Sequence, residues 1–143
     1  MKTVTVQKDK RALIKPSEKA RILVMDDEPG IRGIAGRLLK HIGYKDIGFA
    51  ADGAEAIKLY KAAMKTDNPY AAVILDLTIP GGMGGEMAVT KLLKIDPAVK
   101  AIVSSGYVDD AVVAKYRDYG FSGVVAKPYT IAELRKALQE VIG

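Results

Sequence analysis

The chain has 143 residues, no cysteine, one histidine and a formal net charge of +5, with 49% hydrophobic and 27% charged residues. That length suits one domain burying about two-thirds of the surface its unfolded form exposes, and the composition excludes a collagen-like or wholly disordered protein. Lack of cysteine rules out a disulfide scaffold, a thiolate metal site and a thiol nucleophile, and the lone His41 cannot build a histidine-rich metal centre.

Residues 1 to 21 carry seven basic and two acidic side chains, while the remainder balances at fifteen of each. The positive charge therefore belongs to a basic N-terminal tail or linker, residues 1–20, which reads as a solvated extension rather than a nucleic-acid arm. No apolar run approaches the roughly 18 residues needed to span a bilayer, and the tail lacks the apolar stretch of a secretory signal, so a soluble, cytoplasmic protein is expected, with no membrane or direct nucleic-acid partner.

From residue 21 onward, five short apolar runs alternate with stretches of helical period, the pattern of a parallel sheet covered by helices. The runs are Arg21–Met25, Asp46–Ala51, Ala71–Leu75, Lys100–Ser104 and Gly123–Ala126. Ile31, Ile34, Leu38 and Ile42 predict a first helix ended by Gly43. Ala54, Ile57, Leu59 and Tyr60 predict a second, and Met87, Val89, Leu92 and Leu93 a third that stops near Asp96-Pro97. Val112, Val113 and Tyr116 predict a fourth up to Gly120, and Ile131, Leu134, Leu138 and Val141 the last. The fold class is α/β: a single (βα)5 doubly wound parallel sheet with flavodoxin-like strand order 2-1-3-4-5, spanning residues 21–143.

In such a sheet, ligands gather at the carboxyl ends of the strands. Those ends carry Asp26-Asp27-Glu28, Asp76, Ser104-Ser105 and Lys127-Pro128. Each aspartate alone also suits a turn or a helix cap. Three converging carboxylates, however, raise one another's pKa unless a cation and an ammonium offset them, and Lys127 is placed to supply the ammonium. An oxygen-only cluster with few protein ligands suits Mg2+.

Taken as a set, Asp26-Asp27, Asp76, Ser105-Gly106 and Lys127-Pro128 resemble the phosphoacceptor receiver domains of two-component response regulators, from about Arg21 to the C-terminus. The loop Ile79-Pro80-Gly81-Gly82-Met83-Gly84-Gly85 looks like that of receiver modules in hybrid histidine kinases. The resemblance implies that Asp76 takes a phosphoryl group from a phosphohistidine on a histidine kinase or histidine phosphotransfer domain. It implies that Asp27, Asp76 and the backbone carbonyl of Thr78 ligate Mg2+, with Asp26 acting largely through water. Lys127 and the Ser105 hydroxyl would meet phosphoryl oxygens, and Ser105 is preferred to Ser104 because it precedes a small residue. A cis Lys127–Pro128 bond and a homodimer through the helix 4–strand 5–helix 5 face also follow from the resemblance.

Thr78 occupies a position that influences phosphoryl lifetime, and Val124 stands where many receivers carry a mobile aromatic, for which Tyr107 and Tyr129 are candidate substitutes. The glycine-rich loop lacks the Lys-Ser/Thr of a nucleotide-binding P-loop. A haloacid-dehalogenase-type phosphatase is a competing reading, but it needs a second aspartate where Thr78 stands. A phosphorylation-independent pseudo-receiver is another, opposed by the intact acidic residues and Lys127. Flavodoxin-like cofactor binding shares the architecture, yet Asp26-Asp27-Glu28 would repel an anion after strand one. His41, at the end of the first helix, reads as a surface or packing residue. The domain itself is read as a signalling phosphoacceptor rather than an enzyme, with output through a partner, onward phosphotransfer or a larger polypeptide.

Overall fold

Apolar runs can pair as a continuous parallel sheet, and the computed structural model, which describes residues 20–106 and 111–143, contains five such strands, the edge strand Asp46–Ala50 being largely exposed. In chain order the elements are β1 (Arg21–Met25), α1 (Pro29–Ile42), β2 (Asp46–Ala50), α2 (Gly53–Met64), β3 (Tyr70–Asp76), α3 (Gly85–Ile95) and β4 (Ala101–Ser105). Then follow α4 (Ala111–Ala114), a 3-10 turn (Tyr116–Tyr119), β5 (Gly123–Ala126) and α5 (Ile131–Ile142). Every pairing is parallel and the order is β2-β1-β3-β4-β5, as expected from the sequence. The chain order reverses at β1 and β3, so the ends of these two strands border the crevice where such sheets bind ligands.

Side chains alternate between two cores. Leu23, Met25, Val73, Leu75 and Val103 face α2 and α3, whereas Ile22, Val24, Ala72, Ile74 and Ile102 face α1 and α5. The helices exist where the spacing predicts them, but several are rotated from the predicted face. In α1 the buried residues are Ala35, Gly36, Leu39 and Ile42, while Ile34 is 40% exposed. In α2 they are Gly53, Ala56, Tyr60 and Ala63, and in α3 Met87 turns outward as Ala88 turns in. Small residues (Ala35, Gly36, Ala56, Ala63, Ala88) share each buried face with larger ones such as Leu39, Tyr60 and Leu92. Gly43, at φ 130°, closes α1 in a conformation that other residues rarely adopt.

The predicted fourth helix is shorter than its apolar spacing suggests. It runs only from Ala111 to Ala114; Lys115 leaves helical geometry, and the Tyr116–Tyr119 turn is ended by Gly120 at φ 98°. Tyr, Arg and Asp in that turn offer little apolar periodicity to prolong the helix. Tyr107, Val108, Asp109 and Asp110, and tail residues 1–19, lie outside the described residues.

Candidate functional site

The site is built where β1 and β3 run out of partners at their carboxyl ends. Asp26 follows the last residue of β1, and its amide still donates to the Ala50 carbonyl of β2 at 3.0 Å, which draws its side chain into the sheet edge. It is wholly buried. Its Oδ1 accepts the Glu28 amide at 2.9 Å and its Oδ2 accepts Lys127 Nζ at 3.0 Å, so both oxygens are satisfied within the protein. Asp27, one residue on, faces the solvent side and is exposed. Asp76 ends β3, nearly buried, with Oδ2 3.3 Å from Lys127 Nζ and Oδ1 3.4 Å from the Thr78 amide that donates to it.

Lys127 enters from the end of β5, where its amide donates to the Ser105 carbonyl at 2.9 Å and its bond to Pro128 is cis. A single ammonium thus meets two carboxylates. Neighbouring residues of β4 point to opposite sides. Ser105 joins Asp27, Asp76, Thr78 and Lys127 in the wall of an open cavity of about 410 Å3, whereas the Ser104 hydroxyl lies 2.7 Å from the Tyr129 hydroxyl in the interior. The structure therefore brings Asp26, Asp27, Asp76, Thr78, Ser105 and Lys127 to one place.

The electrostatics follow from that crowding. Burial, and then the charge of Asp26, push Asp76 up to about 6 despite the nearby lysine. Burial works against the Lys127 ammonium, but hydrogen bonding and charge from Asp26 and Asp76 outweigh it and hold its pKa above the ordinary value. Oxygens of Asp26, Asp27 and Asp76 lie within 4.8 Å of one another, a spacing at which one cation can relieve the repulsion. Asp26 and Asp76 each meet Lys127 and one backbone amide, Asp26 at shorter distances, while Asp27 is the exposed member of the cluster. An all-oxygen set of this kind suits a hard cation that retains water.

Further residues support the site. Arg32 Nη1 donates to the Asp26 carbonyl at 2.7 Å, bracing the β1–α1 turn from the first part of the helix, and Glu28 lines the cavity beside Asp27. Sequence spacing placed Arg32 on a helix but carried no sign that its side chain folds back. Gly84 is the third addition. A Cβ there would overlap the Leu77 carbonyl oxygen, so the absence of a side chain lets α3 start directly against the backbone following Asp76.

A parallel five-stranded sheet with an acidic cluster, a hydroxyl and a lysine at its carboxyl edge is the form of a receiver domain. Residues 22–139 match the response regulator receiver domain family, and the chain belongs to it. It is 32% identical over 121 residues to the chemotaxis protein CheY of Thermotoga maritima, covering 85% of this chain and 96% of that one. It is 28% identical to the sensor kinase CckA of Brucella abortus, over 88% of this chain but 13% of the kinase. The structure of the response regulator TrrA of Thermotoga maritima, in complex with Mg2+-BeF, superposes with a TM-score of 0.72 at 29% identity, over 85% of this chain and 98% of that one. The chain is a receiver domain of two-component signal transduction, a class whose members serve as signalling phosphoacceptors. Among the described residues, no helix is long and apolar enough to cross a membrane.

Proposed function

We propose that Asp76 is the residue that accepts the phosphoryl group, donated by a phosphohistidine on a histidine kinase or histidine phosphotransfer domain. The observation that carries this reading is the position of Lys127 Nζ, 3.0 Å from Asp26 and 3.3 Å from Asp76, at the floor of a cavity that Ser105 and Thr78 also line. An Asp76 oxygen attacks phosphorus, the P–N bond breaks and its electron pair returns to the donor imidazole, leaving an aspartyl phosphate. Lys127 offers its ammonium to a phosphoryl oxygen and Ser105 its hydroxyl to another, so the charge that builds during transfer meets donors already in place. Asp27, Asp76 and the Thr78 carbonyl would hold Mg2+, with Asp26 positioning Lys127. When bound, Mg2+ supplies charge neutralisation to the phosphoryl oxygens.

On this reading the domain occupies residues 21–143, with Ala20 also packed against its core, and the basic segment before them is a tail, in a cytoplasmic protein. The α4–β5–α5 face is the surface for a homodimer or an output partner, supported by a groove of about 240 Å3 between β5 and α5. The role of Asp76 is tested by incubating the chain with acetyl phosphate and Mg2+ and measuring intact mass. One added phosphoryl group is expected, absent in Asp76→Asn; equal modification of that variant would remove Asp76 from the role.

A further inference from the structure

The two aspartates after β1 are held in opposite ways. Asp26 is fixed at every polar group: its amide donates to the Ala50 carbonyl, its Oδ1 accepts the Glu28 amide, its Oδ2 accepts Lys127 Nζ, and its carbonyl oxygen accepts Arg32 Nη1 at 2.7 Å. Asp27 is exposed, and among the described residues its carboxylate has no hydrogen-bond or ion-pair partner. Where that carboxylate reaches is therefore decided by the backbone that carries it. The Asp26 carbonyl and the Asp27 amide belong to one planar unit, so holding the carbonyl fixes the direction in which the chain leaves Asp26. The donor that holds it runs against local preference. Arg32 is the fourth residue of α1, at the helix end where the macrodipole disfavours a cation, and this helix starts with no side-chain cap and no acidic residue in its first turn. Among the described residues Arg32 pairs with no carboxylate, and its one hydrogen bond is to the Asp26 carbonyl.

We propose that Arg32 is a positioning residue for the cation site: through the Asp26 carbonyl it holds the backbone so that the Asp27 carboxylate stays within reach of Asp76. The inference rests on the reading of Asp27 and Asp76 as Mg2+ ligands given above. Oxygens of Asp26, Asp27 and Asp76 lie within 4.8 Å of one another, and their mutual repulsion opposes that spacing. The member with no partner for its side chain yields first, and that member is Asp27. A charge-assisted hydrogen bond to the carbonyl that leads into Asp27 resists the drift. The guanidinium also carries a charge of its own, which repels a cation, so by charge alone Arg32 weakens Mg2+ binding. Positioning and charge therefore act with opposite sign, and removal of the side chain separates them.

The test uses the full chain with Mg2+ alone as the probe, reading affinity by amide NMR titration and stability by urea unfolding in EDTA. Arg32→Met, which keeps an unbranched stem and removes donor and charge together, should bind Mg2+ about tenfold more weakly than the parent, as loss of a partner behind a metal ligand does. Arg32→Lys, which restores a charged donor, should bind within about twofold of the parent, because a single N–H is all the carbonyl requires. In an Asp27→Asn background, Arg32→Met should add no further loss, since the carboxylate it positions is gone. Binding by Arg32→Met as tight as the parent's, or tighter, would overturn the proposal, and so would an undiminished loss in the Asp27→Asn background. An affinity unchanged by Asp27→Asn alone would overturn the assignment of the Mg2+ ligands, and the proposal with it. Arg32→Gln, neutral and too short to reach as arginine does, takes the place of Arg32→Met if that variant fails to fold. A merely structural role would lower stability in urea and leave Mg2+ affinity where it was.

Discussion

Asp76 holds its place in the fold at a cost. Its carboxyl is nearly buried beside another carboxylate, and its pKa stands at about 6 against an ordinary 3.8. A carboxyl raised in the folded chain favours folding when protonated; that contribution is complete below the unfolded value and is lost as pH rises through the folded one. Ionised Asp76 therefore destabilises the metal-free chain at neutral pH. Asp76→Asn, which keeps the shape and removes the charge, should raise unfolding stability at pH 7.5 in EDTA by on the order of 1–3 kcal/mol. The gain should shrink as the pH is lowered from 7 towards 4, as followed by urea denaturation across that range. An equal gain at both ends would place its origin in packing rather than in charge. The same side chain explains why strand-end position, apolar preceding residues and the company of Asp26, Asp27 and Lys127 were enough to single it out in the sequence. A buried acid without such company has no reason to persist there. The contacts of Arg32 and Tyr129 were not legible in that way, because they form across elements that no local spacing brings together.

At the scale of elements, three glycines that look alike in the sequence stand in different surroundings. Gly33, inside α1, has open space where a Cβ would go, so Gly33→Ala should stabilise the chain by about 0.5–1 kcal/mol through reduced backbone freedom in the unfolded state. Gly36 faces the tip of the Phe49 ring at 2.8 Å, a partly exposed side chain with room to turn, so Gly36→Ala should change stability by less than about 1 kcal/mol. Gly84 faces the backbone oxygen of Leu77, which cannot swing away, so Gly84→Ala should cost about 2 kcal/mol or more. Because it also displaces the backbone at Leu77 and Thr78, it should weaken Mg2+ binding, as measured by titration beside urea melts of all three variants. This contrast shows what periodicity contains and what it omits. The recurrence of Ile31, Ile34, Leu38 and Ile42 located α1, but the face that packs is centred on Ala35 and Leu39. Apolar spacing reports the width of a stripe, whereas its centre depends on how closely the helix can approach, which small residues decide. For the same reason the Gly84-Gly85 pair reads as a supple loop in the sequence, yet serves as the point of contact between α3 and β3.

For the molecule as a whole, the division between tail and domain rests on how the sheet begins. Arg21 opens β1 with contacts to three other parts of the fold: Nε lies 3.1 Å from Asp46 Oδ2, Nη1 donates to the Asn68 carbonyl at 2.9 Å, and the guanidinium stacks 4.4 Å over the Tyr70 ring. Tyr70 in turn stacks with Tyr60, whose hydroxyl donates to Asp96 at 2.6 Å, so the amino-terminal edge of the sheet is closed by a chain of contacts that starts at residue 21. None of these contacts needs a residue before Arg21. Deleting residues 1 to 18 should therefore leave the thermal midpoint within about 2 °C of the parent, since a loss of 1 kcal/mol corresponds to roughly 3–5 °C in a chain of this size. Phosphorylation by acetyl phosphate should proceed at the parent's rate, because the acidic cluster lies at the opposite, carboxyl edge of the sheet. The comparison is made by calorimetry and intact mass on both chains at equal concentration. A fall of 5 °C or more would mean that Val4, Val6, Leu13 or Ile14 packs on the domain, and a changed rate at an unchanged midpoint would mean that the basic segment acts on the site through its charge.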